Sequence, residues 1–426
     1  MSDDGDGRHP EGLAAQNAAL SAVLEVGTSR TTCWIGEQRA DGIRILAAAE
    51  APSEGVRVGE VVDVRAAAAP IRGAVDEAER QAGVDVEGLC VSLSGAGMTC
   101  TASRAAVPIT REGGEVTRSE VRAVMGRAGD VAIPNGARMV HVLPQGFRID
   151  GAGPVRDPVG LTGAILEAGV TTLAASVFAY ENLARAVRTA GRHVTSVALA
   201  PAALGLGALS EEERRMGALA VDIGAGLTGF ALWKCGVLAA CGCVPVAGEM
   251  VTHDVAAGLG VTLDAAEDLK LCASASAAHR GGGPEDDANR VLRAPALGGG
   301  EAGPFTRSEV SEIVEARIEE ILLLVKRRLG GAAPPAGCGA GVVLAGGGAH
   351  QKGLDEKANA MFHVRARRAG SDLRGDVPER FLGPAYAVLT GLLRWSFGTG
   401  LHEEAERSPR PVRWIASAFK WLAEGF

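Results

Sequence analysis

The sequence predicts an α/β protein made of two related lobes. Three observations carry this reading. An apolar strand that delivers one carboxylate into a glycine turn, and returns as a hairpin, occurs twice, about 200 residues apart. A third apolar strand runs into three consecutive glycines, Gly346, Gly347 and Gly348. Segments with helical spacing lie between these strands, as βαβ units require.

The elements follow in chain order. Residues 1–20 open with the polar, acidic stretch MSDDGDGRHP and read as a disordered tail without a secretory leader. Residues 22–26 form a strand that places Glu25 before the turn Gly27-Thr28-Ser29, and 31–36 return as its hairpin partner. Residues 66–82 have helical spacing and stop at Gly83, and 89–93 form a buried strand. Residues 95–168 read as a small inserted module with strands at its edges. Its one helix, 117–129, opens on the capping pattern Thr117-Arg118-Ser119-Glu120. The strand rhythm resumes at 170–177, followed by a helix at 180–190 and a strand at 194–199.

Residues 218–226 repeat the opening theme, with Asp222 before Gly224-Ala225-Gly226 and a return strand from Phe230. Residues 281–303 are rich in glycine and proline and read as a flexible excursion. A long amphipathic helix spans 308–329, the third strand is 341–345, and a closing helix spans 384–395. The resulting division gives 21–94, 169–212 and 385–397 to the first lobe, and 95–168 to the insert. The second lobe takes 213–246 and 306–384, with 247–305 as its satellite. A linker, 398–410, leads to a terminal helix, 411–426.

Composition narrows the function. Lys plus Arg number 43 against 51 Asp plus Glu, a net charge of −8, which disfavours a nucleic-acid partner. The eight cysteines form no CxxC pair, which argues against a zinc or dithiol site; Cys241 and Cys243 alternate as small core residues on a strand. This pattern suits a reducing compartment.

Glycine turns let backbone N–H groups approach an anion without a Cβ in the way. Three such turns, two with an adjacent acid, point to a phosphate cradle. Glu25 and Asp222 are placed to hold a hydrated Mg²⁺, with hydroxyl donors from Thr28 and Ser29. The chain lacks GxxxxGK[ST] and a strand-borne GxGxxG, which excludes a P-loop and a Rossmann site.

At this point the layout resembles the superfamily of actin, the heat-shock ATPase chaperones and the sugar kinases, which hold ATP between duplicated lobes. Leu24-Glu25-Val26-Gly27-Thr28 resembles its first phosphate motif, Asp222-Ile223-Gly224-Ala225-Gly226 its second, and residues 344–349 its adenosine motif. Within the superfamily the chain resembles the bacterial FtsA cell-division family. The residues that carry this are His141-Val142-Leu143-Pro144-Gln145, Asp157-Pro158-Val159-Gly160-Leu161-Thr162-Gly163, Pro245-Val246-Ala247-Gly248 and Val251-Thr252-His253-Asp254-Val255. The likeness covers about 21–426.

The resemblance implies an actin-like duplicated two-lobe ATPase fold, with an FtsA-type inserted subdomain (1C) and a C-terminal amphipathic helix. It implies ATP and Mg²⁺ as cofactors, with Gly248, Glu267 and Lys270 toward the nucleotide; Glu267 and Lys270 also fit a solvated i,i+3 pair. The second turn departs from the family pattern, with Leu227 where an earlier threonine stands and Thr228 following. No hydrolytic base is evident, so slow hydrolysis at most is expected. The implied partners are the C-terminal tail of FtsZ, further copies of the chain in an actin-like filament, and later divisome proteins. Arg317 and, more weakly, Arg307 are implied contacts for the FtsZ tail; Arg317 equally fits an ion pair with Glu320.

The terminal stretch is a separate signal. At about 100° per residue, Arg413, Ser417, Lys420 and Glu424 share one narrow face. Trp414, Ile415, Ala418, Phe419, Trp421, Leu422 and Phe426 fill the rest. This stretch holds two of the five tryptophans, a density that a solvated tail would not show. It suits a helix lying in a membrane interface, with Arg413 and Lys420 toward anionic lipid; the resemblance implies the cytoplasmic face of the membrane at the division site. Docking on the core is the alternative. Two other functions share the fold: a pilus-assembly adaptor, and a sugar-kinase-like phosphotransferase that would need a cleft carboxylate as base.

Overall fold

The computed structural model describes residues 19–111, 113–274, 289–375 and 377–398. The first eighteen residues, 281–288 of the glycine-rich stretch, 399–410 of the linker and the whole terminal helix 411–426 lie outside the described residues.

Both expected hairpins form, and each becomes the centre of a sheet. In the first lobe Ala19–Val26, Arg30–Arg39 and Gly42–Pro52 make an antiparallel meander. Gly88–Leu93 joins Ala19–Val26 in parallel, and His193–Leu199 joins Gly88–Leu93. In the second lobe Ala218–Ile223, Thr228–Lys234 and Val237–Val244 repeat the meander. Gly341–Ala345 and Ala366–Arg368 continue it in parallel. The same strand order in both sheets is the physical form of the duplication seen in the sequence.

Local chemistry explains the helices. Val64–Ala82 starts on Asp63, whose Oδ1 accepts from the Arg65 and Ala66 N–H groups, and its Ile71, Ala74, Val75 and Ala78 are buried against the first sheet. Arg118–Gly129 carries the expected capping box at Thr117 and Glu120. Arg307–Leu329 carries a second, at Thr306 and Glu309, and buries Val310, Val314, Ile318, Ile321, Leu322 and Val325 in the second lobe.

The structure corrects four details. The strand Ile165–Ser176 belongs to the insert along its whole length, pairing with Thr99–Pro108 and Ala137–Ile149, so the insert runs past the expected boundary at 168. Residues 374–375 pair with Gly42–Pro52, which places this segment on the first lobe's sheet although 306–384 was expected in the second. Part of the supposed flexible excursion is a hairpin, Val291–Pro295 with Glu301–Thr306. The helix Ala200–Ala208 was not foreseen.

That helix joins the halves. It crosses Ala387–Ser396 between the two sheets, and Ala202, Ala203, Leu204 and Leu206 share one core with Ala218, Ala231 and Trp233. The crossing is closest at Gly207 and Gly391. A Cβ at Gly391 would overlap the Ala203 carbonyl oxygen, and one at Gly207 would overlap the Ala387 carbonyl oxygen. Only glycine lets the two backbones approach this closely.

Candidate functional site

The C-terminal ends of the two central strands meet between the lobes. Glu25 stands opposite Thr32, and Asp222 stands opposite Gly229 and beside Ala345. Both carboxylates are half-buried. Burial, followed by the nearby Asp222 charge, raises Glu25 from its ordinary 4.5 to about 8, against a smaller lowering by Arg30. Burial raises Asp222 from 3.8 to about 6, again opposed by Arg30. Two desolvated acids that feel each other form a site that favours a counter-cation.

The turns after these strands touch. A Cβ on Gly226 would lie 2.6 Å from Thr28 Oγ1, so the second turn abuts the first without room for a side chain. Thr28 Oγ1 accepts the Gly59 N–H at 2.9 Å, and Leu227 lies against Gly59. Gly346 closes the third side with φ +81; a Cβ there would overlap Asp222 Oδ1 and the Ile223 carbonyl. The recess behind the first turn, lined by Val26, Gly59, Glu60, Ser92 and Ser94, holds about 10 Å³. A wider recess of about 400 Å³ beside Glu79, Arg192 and His193 lies at the N-terminal ends of the strands. Ligands of open α/β sheets sit at the C-terminal ends, so the wider recess does not displace the cleft as the site.

A second group forms on the satellite of the second lobe. The helix Gly248–Leu259 begins on the second turn, with the Gly248 and Glu249 N–H groups donating to the Gly224 and Ala225 carbonyls at 3.0 and 2.8 Å. From the next helix, Leu263–Ser274, Lys270 Nζ donates to Glu267 Oε2 at 2.6 Å, to Thr252 Oγ1 at 2.9 Å and to the Gly248 carbonyl at 3.3 Å. Thr252 Oγ1 donates to Glu267 Oε2 at 2.5 Å. The Glu267–Lys270 pair is thus part of a network that ties both helices to the second turn.

Other sequence-derived residues are placed differently. Ser29 is exposed, whereas Thr228 is buried with its hydroxyl donating to the Val246 carbonyl at 2.7 Å, so it braces the turn from within. Arg317 is bound to Glu320, and also to Asp254 through Nε at 2.5 Å and Nη2 at 3.0 Å; it clamps two helices of its own lobe. Arg307 corrects the expectation of a partner contact. It is buried, and its Nη2 donates to the Ala273 carbonyl at 3.2 Å, because its helix starts beneath the satellite.

Sequence reasoning missed Arg30, which both cleft acids feel. Its Nη1 donates to Tyr386 OH at 3.2 Å, and its guanidinium lies 4.8 Å from that ring's centre. Tyr386 in turn donates to Glu50 at 2.8 Å. It also missed Glu60, whose carboxyl packs on Gly95 and is raised by burial. An arginine directly after the first turn was the one available signal.

The donor set suits a magnesium–triphosphate group. Paired acids whose ionised forms are destabilised gain from a divalent cation, and the Gly226 and Gly346 contacts leave space for backbone only.

Comparison with known proteins agrees with this architecture. A family profile described as "SHS2 domain inserted in FTSA" matches residues 95–174, and one described as "Cell division protein FtsA" matches residues 219–391. The chain is 31% identical over 383 residues to the cell division protein FtsA of Bacillus subtilis (strain 168), covering 89% of this chain and 84% of that protein. It is 29% identical over 429 residues to FtsA of Escherichia coli (strain K12), covering 97% of this chain and 100% of that one. Among solved structures, the PilM–PilN type IV pilus biogenesis complex aligns with a TM-score of 0.60 at 18% identity, over 88% of this chain and 98% of the other. MreB5 of Spiroplasma citri bound to ADP aligns with a TM-score of 0.53 at 14% identity, over 90% and 98%. These two show the fold alone, and the fold is actin-like.

Proposed function

The chain belongs to the FtsA family of cell division proteins, and from that premise we propose that it is an ATP-binding tether between the division ring and the membrane. The observation that carries the nucleotide half of this reading is the meeting of Glu25 and Asp222 at glycine turns from two sheets of the same strand order.

In this reading Gly27, Thr28, Ser29 and the 224–226 backbone receive the phosphates. Glu25 and Asp222 hold Mg²⁺ through water, which would offset phosphate charge. Gly346, Gly347 and Gly348 border the adenosine, and Glu267 and Lys270 approach the base and ribose. Ligand bound only to the closed form stabilises that form, so nucleotide acts chiefly as a structural clasp with slow hydrolysis at most.

The output is localisation. Residues 411–426 lie on anionic lipid at the cytoplasmic face of the membrane, and the second lobe receives the C-terminal tail of FtsZ. Self-assembly into an actin-like filament joins many weak lipid contacts into a strong one, and the insert presents a surface to later divisome proteins. No described helix is long and apolar enough to cross a membrane.

Co-sedimentation with vesicles containing anionic lipid tests the tether. The full chain is expected to pellet and to carry an FtsZ tail peptide with it. A variant lacking 411–426 is expected to leave both in the supernatant. If the shortened protein pellets equally well, the tether reading fails, as it would for a pilus-adaptor role without this helix.

A further inference from the structure

Arg30 closes the first glycine turn, its carbonyl accepting the Gly27 N–H at 3.0 Å. Strand register places its side chain on the face that carries Glu25. Glu25 stands opposite Thr32, Thr32 opposite Glu50, and Arg30 opposite Pro52. Directly opposed residues share a face, as do residues two apart on one strand, so Glu25, Arg30 and Glu50 lie on one side of the sheet.

A segment from the far end of the chain holds the guanidinium there. Tyr386 ends the turn Pro384–Tyr386 before the closing helix. Its hydroxyl accepts from Arg30 Nη1 at 3.2 Å and donates to Glu50 at 2.8 Å, and its ring centre lies 4.8 Å from Arg30 Cζ. Two residues earlier, the Pro384 carbonyl accepts the Gly346 N–H of the third glycine turn at 2.9 Å. Gly346 in turn lies so close to Asp222 that a Cβ would overlap its Oδ1. A short chain of contacts thus runs from the second lobe's acid to Arg30 and sets the arginine at the cleft. Its charge opposes the upward shift of both Glu25 and Asp222, as that position requires.

This arginine has donors to spare. Its acid partner Glu50 lies 3.7 Å away and is shared with Arg380 at 3.7 Å, so one carboxylate faces two guanidiniums. Among the described residues, nothing accepts from its Nε or Nη2. The guanidinium is therefore fixed at one nitrogen and open at the others.

On the nucleotide reading of the cleft, on which this rests, we propose that Arg30 is a phosphate-binding residue, oriented by Tyr386 to donate to the phosphate chain of a magnesium-bound nucleoside triphosphate.

The cleft then divides its work by charge. Glu25 and Asp222 attract the cation, while the guanidinium fork donates N–H groups to phosphate oxygens that carboxylates repel. The Tyr386 hydroxyl and ring hold the fork in advance, so little side-chain freedom is lost when phosphate arrives. An arginine that served only as counter-charge to the two acids would act in the opposite sense. Its removal would leave them more attractive to the cation, and binding would hold or tighten.

Calorimetric titration of the full chain with ATP and Mg²⁺ tests this. Arg30→Gln is expected to weaken binding by at least about tenfold. Arg30→Lys keeps the charge without the fork and is expected to recover part of the loss, ending about threefold below the wild type. Tyr386→Phe keeps a ring 5.9 Å from Trp34 and 5.0 Å from Phe381, so the variant folds, and binding weakens by about threefold. Added to Arg30→Gln it costs nothing more, because the hydroxyl acts through the arginine. Urea midpoints check that each variant is folded. Arg30→Gln binding as tightly as the wild type, or more tightly, overturns the proposal and leaves the nucleotide reading in place. So does a Tyr386→Phe loss of equal size with and without Arg30. A wild-type chain that takes up no nucleotide overturns both.

Discussion

The two halves share a strand order but treat their central acids differently. Each meander ends in one carboxylate and a glycine turn, yet Glu25 is raised to about 8 and Asp222 only to about 6. Burial is the largest cause for both, and the repulsion between the two carboxylates adds to the higher shift. The first turn keeps its Thr28 hydroxyl at the cleft, where it accepts the Gly59 N–H, while the second directs Thr228 into its own core. Duplication therefore fixes where the acids stand, and local packing decides how each behaves.

The joint between the halves gives the largest expected effect. Replacing Gly391 with leucine forces the Ala200–Ala208 and Ala387–Ser396 helices apart, since even a Cβ overlaps the Ala203 carbonyl. A loss of about 4 kcal/mol or more is expected, visible as a lower urea midpoint or as failure to fold. If the variant unfolds like the wild type, the halves are not held together at this crossing.

The acids give the next effect. Between pH 4.5 and about 8 the folded chain holds a proton on Glu25 that the unfolded chain has released, so stability falls as pH rises through this window. Glu25→Gln removes the loss and should stabilise the protein at pH 8 by about 1–2 kcal/mol after solvent screening, with little change at pH 4. For Asp222→Asn the window runs from 3.8 to about 6, and the gain is smaller. Urea unfolding at the two pH values reads both, and equal gains would contradict the stated asymmetry.

The smallest effect is confined to the insert. Thr117→Ala removes one half of the capping box and should cost about 1 kcal/mol in unfolding, leaving the cleft unchanged.

Much of this architecture was legible because it rests on periodicity and punctuation. The hairpins around Glu25 and Asp222, the capping box at Thr117 and the stop at Gly83 all follow from local chemistry. Ala200–Ala208 was illegible because all nine of its residues are buried, which leaves no amphipathic stripe, and it contains Pro201, Gly205 and Gly207. The strand Ile165–Ser176 was divided between the insert and the first lobe because alternation marks a strand without naming its neighbours. Arg374–Gly375 is too short to carry any pattern. At the site, residue types showed the acids and turns, but the Arg317–Asp254 clamp and the burial of Arg307 depend on tertiary approach. The Arg30–Tyr386 contact joins residues more than 350 apart.

Calorimetric titration of the full chain with ATP and Mg²⁺, beside the Gly226→Val variant, tests the central claim most directly. A valine side chain at 226 would drive into Thr28, so the account predicts binding by the wild type that weakens at least about tenfold in the variant, while both fold. A wild-type chain that takes up no nucleotide, or a variant that binds as tightly, would contradict it.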